Sequence, residues 1–446
     1  MSEALRSVGL DVGTTTTQLV VSELKIQNEA GAFSVPKLAI TERKILYRSP
    51  VYFTPLVGQN LVDGAAIRRI VEKEYAAAGV SREDLDTGAV IITGETSRKE
   101  NARAVLENLS EFAGDFVVAT AGPDLESILA AKGAGAVAFS EKTGKTVLHM
   151  DIGGGTSNLA LIESGKITAT GCLNVGGRLL KFDEKGEIVY VSPVLQGFER
   201  NVQKIVEKLV QALEMAAGLR PPDGLFRHFW TDECAGSDEW LKALPKEDLV
   251  ISFSGGVADC IEKEQAALAF GDIGPALGKA IRSSRLCQGQ YRLGEQTIRA
   301  TVIGAGCHSA QLSGSTVFYR NVEFPLKNLP VVRLSSPSQL QKRLQEQDTD
   351  AVLALEGLPS PSYQAVVDLA EVIVAAVGTR PVFVALEQDM AKALGQAMAL
   401  RLPADRPCLC IDSVFLEEGS FLDVAAPVGP ALPVVIKTLI LGGSYE

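Results

Sequence analysis

The sequence predicts an α/β protein with two related lobes sharing a cleft, followed by a smaller parallel α/β domain. Three observations predict it. Strand and helix signals alternate along all 446 residues. One segment, Leu10-Asp11-Val12-Gly13-Thr14-Thr15-Thr16-Thr17-Gln18-Leu19, returns 140 residues later as Met150-Asp151-Ile152-Gly153-Gly154-Gly155-Thr156-Ser157-Asn158-Leu159. Beyond Pro325 the pattern becomes a regular succession of apolar strands and amphipathic helices. These divide the chain into 1–145, 146–328 and 329–446.

Residues 7–14 and 17–21 read as strands joined by a tight Gly/Thr turn, and 38–53 is a further β-rich stretch. Asp63 caps a helix whose Ile67, Ile70, Val71 and Tyr75 follow helical spacing. Strands at 89–93 and 116–119 alternate with helices at 96–109 and 124–131. Three β-segments fill 146–175, broken at Gly153 to Gly155 and at Gly165, and a long helix follows over 194–215. The polar stretch 219–244, interrupted by Pro221-Pro222 and two glycines, reads as a surface excursion. Strands at 249–253 and 301–303 each end in glycines, Ser254-Gly255-Gly256 and Gly304-Ala305-Gly306. In the last third, strands at 331–334, 351–355, 382–385 and 409–411 alternate with helices at 339–347, 363–377 and 389–400, and a strand at 434–440 closes the domain.

Composition narrows the function. The formal net charge is −11 with no basic run, which argues against nucleic acid, whose phosphates demand a cationic surface. The most apolar stretch, 366–386, carries Asp368, Glu371, Arg380 and Pro381, so no membrane span is expected. No secretory signal opens the chain, and the seven scattered cysteines read as structural thiols of a reducing cytoplasm. The three histidines lie far apart, which disfavours a histidine metal site or a Ser-His-Asp triad.

The repeat carries the chemistry. Glycines at Gly13, Gly153, Gly154 and Gly155 let turn N–H groups approach phosphate oxygens, and the hydroxyls of Thr14, Thr15, Thr16 and Thr156 add short donors. Asp11 and Asp151, each at a strand end, are placed to hold Mg²⁺ directly or through its waters. A single copy would be an ordinary turn; two at domain spacing point to a nucleoside triphosphate between the lobes. Ser254-Gly255-Gly256 and Gly304-Ala305-Gly306 each read as a strand-ending glycine turn. Glu95, after a strand and Gly94, is placed either to orient an attacking water or to complement a helix dipole. Asp272 reads as a helix cap before Gly274-Pro275, with a second carboxylate near the metal as the alternative. His149 shares a strand face with Asp151, but a packed core histidine is the simpler account. No P-loop is present.

The two Asp-Gly-Thr motifs, with the Gly-Gly after a strand, resemble the phosphate and adenosine motifs of the actin/Hsp70/sugar-kinase superfamily, a likeness spanning about 1–320. The resemblance implies duplicated actin/Hsp70-like ATPase lobes, ATP or ADP with Mg²⁺ as ligands, and weak ATPase activity. It also implies a nucleoside lying against the backbone of one of the glycine turns, 254–256 or 304–306, and the sequence leaves open which. Within that superfamily, four runs are similar to the ethanolamine ammonia-lyase reactivating factors, the EutA family. They are Ile91-Ile92-Thr93-Gly94-Glu95-Thr96-Ser97-Arg98-Lys99-Glu100-Asn101-Ala102, Phe270-Gly271-Asp272-Ile273-Gly274-Pro275, Thr301-Val302-Ile303-Gly304-Ala305-Gly306 and Pro433-Val434-Val435-Ile436-Lys437-Thr438-Leu439. This likeness covers nearly the whole chain. It implies an ATP-dependent chaperone that releases damaged cobalamin from ethanolamine ammonia-lyase so that intact adenosylcobalamin can enter. It also implies a cytoplasmic place in or beside a bacterial microcompartment. The rivals are a small-molecule kinase of the same superfamily and an actin-type filament; monomer and homo-oligomer are both compatible with the sequence.

Overall fold

The computed structural model describes residues 3–13, 16–28, 38–57, 61–93, 117–120, 122–231, 236–244, 249–267, 269–308, 310–313, 317–334, 340, 343, 350–416, 420–427 and 432–438. Its first two sheets have one topology. In the first, Glu3–Val12 forms an antiparallel hairpin with Thr16–Asn28, which pairs onward with Leu38–Arg48. On its other side lie Thr87–Ile92 and then Val117–Thr120, both parallel. In the second, Thr146–Ile152, Ser157–Glu163 and Lys166–Leu173 repeat the antiparallel set, with Leu249–Ser254 and Tyr291–Leu293 as the parallel pair. Strand order and sense coincide throughout. The protein therefore has two duplicated lobes of one topology.

Helices cover both faces of each sheet, because alternate strand residues point opposite ways. Val8, Leu10 and Val12 pack against Ile67 and Val71 of the Gly64–Ala78 helix, whose start Asp63 caps through the Ala66 amide. Leu5, Val20 and Ile91, on the other face, meet Val302, Ile303 and Ala305 of Ala300–His308. In the second lobe Met150 and Leu159 pack with Ile205 and Leu209 of the Val202–Ala216 helix, while Val147 and Ala160 face Ala131 and Ala136. Two helices thus lie back to back between the lobes, Pro123–Gly133 and Ala300–His308, touching through Ala130 and Ala300.

Four expectations are corrected. Residues 301–303 are helical, not a strand; burial between a sheet and a second helix overrides the β-branched propensity of Thr301, Val302 and Ile303. The long helix begins at Val202, where Asn201 caps it, because Gly197 adopts φ 83° and ends the short Pro193–Leu195 turn. The 219–244 stretch is no surface excursion: it forms the helices Gly224–Phe229 and Ser237–Ala243 and buries Phe226, Phe229, Trp230 and Trp240. The third sheet is mixed, not purely parallel. Leu326–Arg333, Val352–Leu355, Val382–Leu386 and Cys408–Ile411 run parallel in sequence order, and antiparallel strands flank them on both sides. Those flanking strands include Ala310–Leu312 and Phe318–Arg320, which precede the boundary expected at 329. The expected helix at 96–109 lies outside the described residues, as does nearly all of the one at 339–347.

Candidate functional site

Each hairpin turn closes identically: the Gly13 amide donates to the Thr16 carbonyl at 2.9 Å, and Gly153 to Thr156 at 2.9 Å. The aspartate before each turn looks into one cavity of about 400 Å³ between the lobes. Gly13, Thr16, Gly153, Gly154, Gly155, Thr156, Gly255 and Gly256 also line it. Thr14, Thr15 and Glu95 lie outside the described residues.

The second motif's neighbour, Ser254, uses its side chain differently from a backbone cradle: its hydroxyl donates to Asp151. Only Gly255 and Gly256 of that trio are on the cavity wall. Gly255 holds φ 86° with the Ile152 backbone so close that no side chain fits there. Gly304 and Gly306 are elsewhere, inside the Ala300–His308 helix. A Cβ on Gly304 would press into the Leu129 backbone, and one on Gly306 would lie 3.0 Å from the Gly9 amide nitrogen. These two glycines let the helix close on its neighbours, and neither reaches the cavity wall.

The two aspartates occupy matched electrostatic settings. Asp11 accepts from the Thr93 hydroxyl at 2.9 Å, and Asp151 accepts from the hydroxyls of Ser254 and Thr301. In both, a hydroxyl donor stands at the end of the neighbouring parallel strand, Ser254 as the last residue of Leu249–Ser254 and Thr93 directly after Thr87–Ile92. Burial dominates nonetheless and pushes Asp11 up to about 7, with the negative charge of Asp151 adding to the shift. Burial likewise raises Asp151 to about 6, against the pull of its two hydroxyl donors. His149 is wholly buried behind them and reaches the site only through Ser254, 2.9 Å from its Nε2, with Ser252 3.2 Å from Nδ1. Since the Ser254 proton goes to Asp151, Nε2 donates to Ser254 and Nδ1 accepts from Ser252. Desolvation holds this imidazole neutral, down to about 3.

Several wall residues escaped the motif reading. Gln18 and Asn158 sit directly opposite Asp11 and Asp151 in the hairpin registers. Their amide groups donate inward, to the Ile298 carbonyl at 3.0 Å and to Glu126 at 2.5 Å, leaving Gln18 Oε1 and Asn158 Oδ1 buried without a partner. The repeat itself carried the signal, an amide at the same step of both copies. Asp272 does cap the Gly274 amide at 2.8 Å, and it also pairs with Arg178, Nε to Oδ2 at 3.1 Å. No motif marked Arg178.

The donor set suits a hard divalent cation. The carboxylates of Asp11 and Asp151 face one cavity and are acceptors of the kind that bind such an ion or its waters, while Gln18 Oε1 and Asn158 Oδ1 are buried within its wall. Among the described residues no group of three His, Cys, Asp or Glu could cage a metal. Solvent and phosphate oxygens would therefore have to complete the coordination.

The sequence model of the family described as ethanolamine utilisation protein EutA matches residues 3–442. The chain belongs to the EutA family. It is 38% identical to the ethanolamine ammonia-lyase reactivase EutA of Salmonella typhimurium and 38% identical to that of Escherichia coli, each alignment covering 98% of both chains. Among solved structures, a PPX-GPPA enzyme of Aquifex aeolicus covers 68% of this chain and 99% of its own, at 12% identity and a TM-score of 0.42.

Proposed function

We propose that this protein is an ATP-dependent reactivating chaperone for ethanolamine ammonia-lyase, releasing damaged cobalamin so that intact adenosylcobalamin can bind. The observation that carries the nucleotide half is the pair of identical turns and aspartates facing one cavity. End-to-end similarity to two named reactivases supports the partner.

In this reading the amides of the two turns and the hydroxyls of Thr16 and Thr156 clasp the β- and γ-phosphates. Asp11 and Asp151 hold a magnesium ion, which when bound supplies charge neutralisation to the phosphates. Thr93, Ser254 and Thr301 fix the carboxylates in place, and neutral His149 locks the Ser254 hydroxyl towards Asp151. ATP draws the lobes together; hydrolysis or release lets them part, which alters the fit to the partner enzyme. Glu95 is assigned the orientation of the attacking water. Cytoplasmic residence beside a microcompartment belongs to the same proposal.

The test is reactivation. Ethanolamine ammonia-lyase blocked with cyanocobalamin is mixed with this protein, free adenosylcobalamin, Mg²⁺ and ATP. Activity returns with the native chain and fails with an Asp11→Ala, Asp151→Ala double variant. ATP-dependent phosphorylation of an added alcohol or sugar, without reactivation, would replace the chaperone by a kinase.

A further inference from the structure

A nucleoside triphosphate brings about four negative charges into a cavity whose described wall carries five carboxylates, Asp11, Glu126, Asp151, Asp259 and Asp272. A single cationic side chain among the described residues lines the same wall, Arg178. Its backbone is tied to the second phosphate-type turn, where the Gly177 amide donates to the Gly153 carbonyl at 2.9 Å and the Arg178 amide donates to Gly154 at 2.6 Å. The side chain is held as well. Nε donates to Asp272, which is itself fixed by the Gly274 amide, and the guanidinium lies 5.1 Å over the ring of Phe53 from the opposite lobe. Arg178 and Asp272 are 16% and 9% exposed, so this is a pair on the cavity wall and not a solvated surface contact. Among the described residues Nε alone is hydrogen-bonded, which leaves the two terminal nitrogens of the fork open, and a guanidinium offers five donors matched to a phosphate's oxygens.

Resting on the nucleotide reading above, we propose that Arg178 binds the terminal phosphate of ATP through its free fork, with Asp272 as the positioning residue that aims it. Arg178 then distinguishes ATP from ADP. Because the same guanidinium lies on Phe53, it also reports the presence of that phosphate to the first lobe. The terminal group is the assignment because Arg178 is tied to the second turn at Gly154 and lies on Phe53, which pairs with Thr16 of the first turn, so that it stands between the two turns that would clasp the end of the phosphate chain.

The test measures Mg-ATP and Mg-ADP affinities of the full-length chain by calorimetry. Arg178→Gln weakens ATP about 10- to 100-fold, the loss of a charge-assisted bond, and leaves ADP within about threefold. Arg178→Lys does not restore the preference, since an ammonium lacks the fork. The Arg178→Gln, Asp272→Asn double variant removes both charges, so no buried carboxylate is left unpaired, and it loses the same preference. Asp272→Asn alone weakens ATP in the native background and has no further effect beside Arg178→Gln. Equal losses for ATP and ADP, or none, overturn the assignment while leaving the nucleotide site standing. A native chain that binds neither nucleotide overturns both.

Discussion

Gly304→Ala separates the two glycine motifs that sequence alone could not rank. A methyl at Gly304 would lie 2.6 Å from the Leu129 carbonyl carbon and 2.8 Å from its Cα. Both are backbone atoms of the Pro123–Gly133 helix, so no rotamer change relieves the clash, and the two helices must move apart. Overpacking of this kind costs about 1–3 kcal/mol, here at the upper end. Alanine recovers roughly 1 kcal/mol through its better helix propensity. The net loss is about 2 kcal/mol, or a fall in Tm of about 4–8 °C for a lobe of this size. Gly256→Ala makes the opposite prediction. A methyl there meets only Ile298, 3.9 Å away, so Tm holds while the added group intrudes on the cavity and weakens nucleotide binding. Differential scanning fluorimetry with nucleotide titration reads both variants. A Gly304→Ala protein that melts normally yet binds nucleotide poorly would refute the packing role assigned to that helix.

Asp11 is raised in the folded chain, so folding favours its protonated form, and the resulting stability is present below about pH 4 and lost as pH rises through about 7. In metal-free buffer the Asp11→Asn variant therefore melts like the native chain near pH 4 and above it near pH 7.5, and coincident Tm curves across that range would contradict the burial argument. Ser254→Ala strands the His149 Nε2–H, a cost of about 1–3 kcal/mol. It also takes a donor from Asp151, so the pH midpoint of Mg-nucleotide binding moves up; a midpoint unchanged from the native one would break the proposed chain of contacts. Trp240→Ala, which empties a buried site and strands the Ala216 carbonyl, lowers stability by about 3–5 kcal/mol in urea without altering nucleotide affinity in the folded fraction.

The sequence announced the duplicated lobes because a turn that must bring backbone to a phosphate tolerates few residues, and the same few stood at both sites. It also contained Gln18 and Asn158, but amides beside a strand turn carry no chemistry until the register sets them opposite Asp11 and Asp151. The helix Ala300–His308 was illegible from local preference, since Thr-Val-Ile before glycines is the composition of a strand. Its true state depends on Gly9 and Leu129, far away in the chain. In 219–244 the prolines and glycines outweighed Phe226, Phe229, Trp230 and Trp240, although four large aromatics in a polar stretch are themselves a sign of burial. Arg178 belongs to no pattern; only its tie to Asp272 and its place on the wall single it out.

The Ala300–His308 helix also sets the order in which this molecule can be completed. The sheet of the first lobe leaves the ribosome early, but the face formed by Leu5, Val20 and Ile91 is covered by Val302, Ile303 and Ala305, which are made only after the entire second sheet. Until then that apolar face stays wet or is sheltered by something else. A fragment ending before Ala300 would carry every strand of the first lobe and still lack its lid. The two lobes are therefore separable in topology and inseparable in synthesis: the nascent chain covers its first sheet only after it has made every strand of its second.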